Sequence, residues 1–129
     1  MNKILAIHHA QIMIPVGQED KAREFYCQLL GLTEIEKPAA LKVRGGIWLE
    51  VGEQQLHLGI NTKVSIDAKG AENPALSRAH IAYRVEDIAT WRQKLKAASI
   101  EIIDGEPVVG LSRFEFRDPF GNRIEFLGQ

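Results

Sequence analysis

Cysteine is almost absent from this chain, since Cys27 is the only one. No disulfide can form within the chain, which agrees with a reducing compartment. An excess of charge of one sign is also missing, because the formal net charge is −1 and no cluster of lysine and arginine suits a phosphate backbone. Nucleic acid is therefore not an expected partner.

Long apolar runs are missing as well. The apolar start breaks at His8 and His9, before a secretory core of the usual length, and no later run is long enough to span a bilayer. We therefore expect a cytoplasmic protein without membrane contact. What the chain does have, 45% apolar and 26% charged residues over 129 positions, is typical of one compact domain with its own core.

The first part of the chain predicts the order β-α-β-β-β. Residues 4–14 are mostly β-branched or apolar and predict a strand, which Pro15 and Gly17 end. A helix follows, because apolar residues recur at helical spacing between Glu19 and Gly31. Three short strands are predicted next, at 33–36, 47–51 and 55–60.

The same order repeats further along the chain. Glu86 and Asp87 open a predicted helix, and residues 118–121, Asp-Pro-Phe-Gly, suit a type I turn. Strands are predicted at 79–85, 100–103, 112–117 and 122–127. The prediction is one domain made of module 1 at about 1–62, a linker at about 63–77 and module 2 at about 78–129. One βαβββ module leaves a sheet face uncovered, so two must combine, either within one chain or between two copies in a homodimer.

The repeat places residues that can bind a metal ion at matching positions of the two modules. His9 and His80 lie in the first strands, and His57 and Glu125 lie in the last strands. A pseudo-twofold axis would bring the four side chains to one point, as a set that suits Mn, Fe, Co, Ni or Zn. Taken singly, each has a plainer interpretation, because strand histidines are more often core or surface residues and an exposed glutamate forms surface salt bridges.

Three further residues are candidates for a substrate pocket. Trp48 and Phe116 would form apolar walls, and Arg113 would supply a cation for an anionic group of the substrate. The alternatives are that Trp48 belongs to the core and that Arg113 is a solvated surface charge.

Several segments together are similar to one known pattern. They are His-Ala-Gln-Ile at 9–12, the stretch from Phe-Tyr to Leu-Gly-Leu at 25–32, His-Ile-Ala-Tyr-Arg-Val at 80–85 and Asp-Pro-Phe-Gly-Asn-Arg-Ile-Glu-Phe at 118–126. Over nearly the whole chain, the sequence resembles the vicinal oxygen chelate superfamily, which groups glyoxalases, bleomycin-resistance proteins and ring-cleaving dioxygenases. The resemblance implies an α+β fold in which two tandem βαβββ modules form a curved, barrel-like β cup with the helices outside.

The resemblance also implies a function. The ligands of metal-dependent members match His9, His80 and Glu125, while His57 stands where glyoxalase I enzymes have a glutamate and epimerases a glutamine. The expected protein is a metal-dependent glyoxalase-like enzyme of the lyase or isomerase class, in which one divalent ion chelates neighbouring oxygens of a small metabolite and stabilises an enolate or oxyanion. Glu125 or a metal-bound hydroxide is the candidate catalytic base.

Three other functions stay open. A bleomycin-resistance-type protein would bind a small molecule without metal or catalysis, although such members generally lose the ligand set that this chain retains. A ring-cleaving dioxygenase would need Fe(II) held by two histidines and one carboxylate. A fosfomycin-modifying transferase would share His9, His80 and Glu125.

Overall fold

The computed structural model describes residues 2–61 and 78–129. The chain divides into two compact units, Met1–Ile66 and Asp67–Gln129. Each unit contains one four-stranded sheet. The predicted linker at 63–77 lies outside the described residues. Over the described ranges, no helix is long and apolar enough to cross a membrane.

The first unit has strands on both sides of a helical segment. Its strands are β1 (His9–Pro15), β2 (Thr33–Ile35), β3 (Ile47–Val51) and β4 (Gln54–Asn61). Its helices are α1 (Glu19–Arg23), a π-helical segment that continues α1 (Glu24–Leu29), and the short α2 (Ala39–Lys42). The strand order is β1-β4-β3-β2, with β1 parallel to β4 and the other neighbours antiparallel.

The second unit repeats this topology. Its elements are β5 (His80–Arg84), α3 (Ile88–Ala97), β6 (Ile103–Val108), β7 (Leu111–Arg117) and β8 (Arg123–Gly128). The strand order is β5-β8-β7-β6, again with the first and last strands parallel. The predicted α+β fold of two tandem βαβββ modules is therefore confirmed.

Each sheet has one apolar face and one polar face, because side chains alternate along a strand. In the first unit, the buried strand residues are Ile14, Ile47, Leu49, Leu56 and Leu58. In the second unit they include Phe114, Phe116, Ile124 and Phe126, and the ring of Trp91 in α3 lies 5.3 Å from that of Phe126. The polar residues of the same strands are left on the opposite face.

The first strand begins later than the sequence predicts. It starts at His9 rather than at residue 4, and Ile4 and Leu5 are 98% and 91% exposed. The cause is the length of its partner, because β4 begins at Gln54 and its Gln55 pairs with His9. The carbonyl oxygen of His8 still accepts from the backbone N–H of Gln55 at 3.1 Å, and β4 offers no earlier residues to the segment before His8.

The second strand of the second unit was also predicted in the wrong place. Instead of 100–103, β6 spans Ile103–Val108 and includes Gly105 and Pro107. It pairs with β7 through an irregular register between Gly105 and Val108. Glycine and proline disfavour strands when judged alone, but β6 is an edge strand, where proline is tolerated.

The predicted first helix is present but its winding changes along its length. The backbone N–H of Leu30 donates to the carbonyl of Phe25 at 3.0 Å, which is π-helical spacing. The helix then ends at Gly31, whose φ of +79° is left-handed. The short α2 was not predicted, because four residues are too few to show a helical period.

The loop before β3 depends on a glycine. Gly46 has a φ of +82°, and a Cβ there would lie 2.1 Å from the carbonyl oxygen of Leu58.

We predict that Gly46→Ala lowers the free energy of unfolding by about 3 kcal/mol, from left-handed strain and steric overlap together. The measurement is urea denaturation. The matched control is Gly52→Ala, where φ is +58° and nothing lies within 4 Å, so only about 1–2 kcal/mol of strain is expected. Equal losses in the two variants would contradict the close approach.

Candidate functional site

The polar face of the first sheet carries a stack of three flat rings. The rings of Trp48 and His57 lie 4.0 Å apart at 2°, and those of His57 and His9 lie 4.0 Å apart at 16°. The strand register produces this stack, because Trp48 pairs with His57 across β3 and β4, and β1 lies on the other side of β4. The strand register therefore places His9, His57 and Trp48 together on one face of the sheet.

His57 is the middle ring and is shielded from water. Only 5% of it is exposed, and its Nε2–H donates to Oε1 of Gln55 at 2.9 Å. Burial, followed by the charges of His9, His8 and Lys37, lowers its pKa from 6.5 to about 4. The imidazole is therefore neutral near pH 7, which is the form that stacks without charge repulsion and that can bind a metal.

His9 lies at the open end of the stack. It is exposed, and its Nδ1 lies 2.9 Å from Nδ1 of His8. Two ring nitrogens at this distance share one proton, so one ring donates and the other accepts. When His9 is the donor, its Nε2 keeps a free lone pair.

The stacked geometry decides which ring nitrogens can meet at one ion. The lone pair of an imidazole nitrogen lies in the plane of the ring, so a bound ion lies close to that plane. The planes of His9 and His57 are nearly parallel, with centroids 4.0 Å apart, and they do not converge within a bond length of about 2.1 Å. These two rings cannot bind one ion unless one of them leaves the stack.

The polar face of the second sheet carries a histidine and a carboxylate at the equivalent positions. His80 Nε2 lies 3.6 Å from Oε2 of Glu125. His80 Nδ1–H donates to the carbonyl oxygen of Arg78 at 2.8 Å, which leaves a lone pair on Nε2 when the ring is neutral. Glu125 is buried, with 7% exposed.

This pair fits a shared divalent ion. With metal–ligand bonds of about 2.0–2.2 Å, two ligand atoms on one tetrahedral ion lie about 3.5 Å apart. The distance between Nε2 and Oε2 matches that spacing. A backbone carbonyl on the other ring nitrogen is also the usual support of a metal-binding histidine.

Arg113 lies against this carboxylate. Its Nη1 donates to Oε1 of Glu125 at 2.7 Å, and its Nε donates to the carbonyl oxygen of Glu106 at 2.6 Å. Gly105 leaves room for this side chain, because a Cβ there would lie 2.7 Å from Cζ of Arg113. Arg113 therefore orients Glu125 and turns its other oxygen, Oε2, toward His80.

A second ion pair completes this polar face. Arg123 donates to both carboxylate oxygens of Glu115, including Oε2 at 2.8 Å, and these contacts lower the pKa of Glu115. Glu115 pairs with Glu125 in the strand register, so two carboxylates and two guanidinium groups lie side by side and balance in charge.

Phe116 lies on the other face of this sheet. It is 1% exposed and its ring is 4.9 Å from that of Phe126 in the core. Strand alternation separates it from Arg113 and Glu115, which lie on the polar face. The structure therefore does not bring Phe116 to the side of the sheet that carries Glu125.

The four residues predicted as metal ligands are divided between the two units. Over the described residues, no group of three or more His, Cys, Asp or Glu side chains is placed to hold a metal ion. The first unit contributes the ring stack of His9 and His57, and the second contributes His80 with Glu125.

The first unit also contains an open cavity of about 460 Å³ next to the ring stack. Its volume lies within the usual range for small-molecule sites, roughly 300–1,000 Å³. The lining residues are His8, His9, Gln11, Lys37, Leu41, Arg44, Gly45, Trp48, His57, Leu58, Gly59 and Ile60. Trp48 thus lines a cavity, where the sequence predicts a pocket wall.

Several residues of these two faces were not singled out from the sequence. They are Lys37 and Arg44 beside the cavity, Gln55 beside His57, and Arg78 and Gly105 in the second unit. Gln55 could have been found, because it stands two residues before His57 on the same strand face. The others act through loop positions or backbone atoms, for which strand alternation gives no signal.

Comparison with known proteins agrees with the fold and the repeat. A family model described as the Glyoxalase/Bleomycin resistance protein/Dioxygenase superfamily matches residues 6–126. The crystal structure of a protein assigned to the glyoxalase family from Bacillus anthracis is 40% identical, with a TM-score of 0.85 over 100% of this chain and 98% of that one. The chain belongs to the glyoxalase, bleomycin resistance protein and dioxygenase superfamily.

More distant structures share the fold alone. A lactoylglutathione lyase from Agrobacterium tumefaciens is 21% identical, with a TM-score of 0.71 over 98% of this chain and 95% of that one. A glyoxalase/dioxygenase from Nostoc punctiforme is 24% identical, with a TM-score of 0.74 over 100% of this chain and 98% of that one. No curated protein matches the chain.

The buried state of His57 predicts a dependence of stability on pH. In the metal-free protein its pKa is about 4, whereas the unfolded chain takes up the proton near pH 6.5. Stability is therefore lost as the pH falls from about 6.5 to about 4, by at most ~3 kcal/mol. We predict that His57→Phe, which keeps a flat ring, removes this part of the slope. The measurement is urea denaturation at several pH values, and an unchanged slope in the variant would contradict the account.

Proposed function

We propose that this chain is a metal-dependent, glyoxalase-like enzyme of the lyase or isomerase class that acts on a small oxygenated metabolite. The proposed ligands of one divalent ion, of Mn, Fe, Co, Ni or Zn, are His9, His80 and Glu125. The ion is bound either within one chain or between two copies in a homodimer. We also propose that the protein binds its substrate in the cytoplasm and that neither nucleic acid nor a membrane is a partner.

The observation that carries this proposal is the arrangement of His80 and Glu125. A histidine whose Nδ1–H donates to a backbone carbonyl turns its Nε2 toward a buried carboxylate oxygen 3.6 Å away, and this nitrogen carries a lone pair when the ring is neutral. Two acceptor atoms that face each other without a shared proton repel, and a cation between them removes that repulsion. His9 supports the proposal because it stands at the position of β1 that His80 occupies in β5.

The divalent ion, when bound, supplies Lewis-acid stabilisation of the negative charge that develops on neighbouring substrate oxygens. The chain's own groups account for the rest. Arg113 fixes the direction of the Glu125 carboxylate through Oε1. Oε2 is then the atom that would bind the ion, and the candidate general base for a proton on a substrate carbon is the Glu125 carboxylate or a hydroxide that the ion would hold. Trp48 and the neighbouring apolar side chains of the cavity exclude water from one side of the substrate.

A second candidate is a small-molecule binding protein of the bleomycin-resistance type, without metal or catalysis. The observation in its favour is the cavity in the first unit, whose mixed aromatic, aliphatic and cationic lining needs no ion to bind a ligand. The two candidates differ in whether the protein carries a metal.

Metal content separates these candidates. We predict about one divalent ion per chain in protein purified without an affinity nickel column or chelator, and its loss in the double variant His80→Ala, Glu125→Ala, because removing two of three ligands abolishes a site of this kind. The measurement is inductively coupled plasma mass spectrometry. The matched control is Glu101→Gln, at an exposed carboxylate far along the chain from these residues, and it should keep the ion. No metal in the wild type, even after reconstitution, favours the binding protein.

The role of His57 needs its own variant. The sequence predicts a fourth ligand here, and the ring would have to leave the stack between His9 and Trp48 to become one. We predict that His57→Phe keeps the metal content and changes the metal dissociation constant by less than about threefold, since a phenyl ring preserves the stack. A loss of roughly tenfold to a hundredfold or more would make His57 a ligand.

The identity of the ion bears on the reaction. Two histidines and one carboxylate also suit Fe(II) in oxygen-activating enzymes. Iron as the bound metal, together with oxygen uptake on catechols, would move the assignment to a ring-cleaving dioxygenase. A fosfomycin-modifying transferase would instead show loss of a thiol cosubstrate in the presence of fosfomycin.

A further inference from the structure

The cavity of the first unit is lined by positive charge without any carboxylate. Lys37 and Arg44 are among its lining residues, and none of the lining residues is Asp or Glu. We propose that this cavity binds a small organic anion with an apolar body, and that Lys37 and Arg44 select for the negative charge. This inference rests on the proposed function, because it takes the cavity as the site where the substrate binds.

The two cations are free to meet a ligand. Over the described residues, neither Lys37 nor Arg44 forms an ion pair, although the neighbouring Lys42 is neutralised by Glu36 at 2.6 Å. Lys37 donates one hydrogen bond to the carbonyl oxygen of Gly45, which leaves two of its three protons for another acceptor. Arg44 is exposed and carries five donors in a planar fork that fits a carboxylate or phosphate.

The loop around these cations is held in place by its backbone. Gly45 and Gly46 have φ values of +70° and +82°, and Gly46 approaches the carbonyl oxygen of Leu58 so closely that no other residue fits. The hydrogen bond from Lys37 ties its side chain to the same loop. Arg44 is therefore fixed at the rim of the cavity by a tight turn that packs on β4.

One carboxylate lies near the loop but does not line the cavity. The carboxylate of Glu19 has Oε2 3.7 Å from the position of a Cβ on Gly45, yet Glu19 is not among the residues that line the cavity. An anion in the cavity would therefore meet Lys37 and Arg44 without a carboxylate in the lining.

The rest of the lining describes the body of the ligand. Leu41, Trp48 and Ile60 offer aliphatic and aromatic surface, so a ligand with a ring or short alkyl group gains from burial there. A volume of about 460 Å³ admits a ligand the size of a substituted benzene. Carboxylates and phosphate monoesters share the chemistry that two such cations recognise.

The test uses three probes that carry the same ring. They are phenylglyoxylate, phenyl phosphate and the neutral methyl ester of phenylglyoxylic acid, each titrated by calorimetry into the full chain with EDTA present. We expect both anions to bind at least tenfold more tightly than the ester. The anion that binds more tightly shows whether the cavity prefers a carboxylate or a phosphate. Arg44→Gln and Lys37→Gln should each weaken anion binding by roughly fivefold to tenfold and leave ester binding unchanged.

A control variant and a spectroscopic measurement test whether the anions bind in this cavity. Lys21→Gln removes an exposed charge on α1, outside the cavity lining, and should keep the affinity for the anions. The chain has two tryptophans, so its ¹⁵N-correlated spectrum shows two indole signals, which Trp91→Phe assigns. The Trp48 signal should move on titration and the Trp91 signal should stay.

Three outcomes would overturn the inference. They are equal affinity for ester and anions, an equal loss in Lys21→Gln, and movement of the Trp91 signal in place of the Trp48 signal. Because EDTA removes divalent ions, these outcomes do not depend on the metal site. Failure of the proposed function would appear instead in the metal content, with anion binding intact.

Discussion

The parallel pairing of the first and last strand in each module is the constraint on which the candidate site depends. It sets His9 of β1 beside the strand that carries His57, and His80 of β5 beside the strand that carries Glu125. Because side chains alternate, the same pairing that buries one face of each sheet leaves these residues together on the other. A shift of one residue in either pair would bury the potential ligands and expose the core.

The two modules use this shared geometry for different chemistry. In the first, three flat rings stack and burial keeps the central imidazole of His57 neutral. In the second, Glu125 and Glu115 face the guanidinium groups of Arg113 and Arg123. A ring stack is stabilised by contact area and excludes charge, whereas an ion-pair network needs balanced charges and holds its members in fixed directions. The second module is therefore the better anchor for a cation, and the first the better wall for an organic ligand.

Much of this arrangement could be read from the sequence, for identifiable reasons. The repeat and the alternation of side chains placed His9, His57, His80 and Glu125 at equivalent positions, and the described strands keep that equivalence. The ion pair of Arg113 with Glu125 could not be predicted, because it depends on a long side chain crossing Gly105. Phe116 was assigned to a pocket on residue type alone, and the face of a strand residue follows from register instead. The start of β1 likewise depends on where its partner strand begins.

The central claim is that His80 and Glu125, with His9, hold one divalent ion. The most direct measurement is a crystal structure of the chain loaded with Co²⁺, with data collected on both sides of the cobalt absorption edge. The account predicts one anomalous peak per chain at about 2.0–2.2 Å from His80 Nε2 and from a carboxylate oxygen of Glu125, with His9 of the same chain or of a second copy as the third protein ligand. A fully loaded crystal with no peak at His80 and Glu125, or with its peak on other side chains, would contradict it.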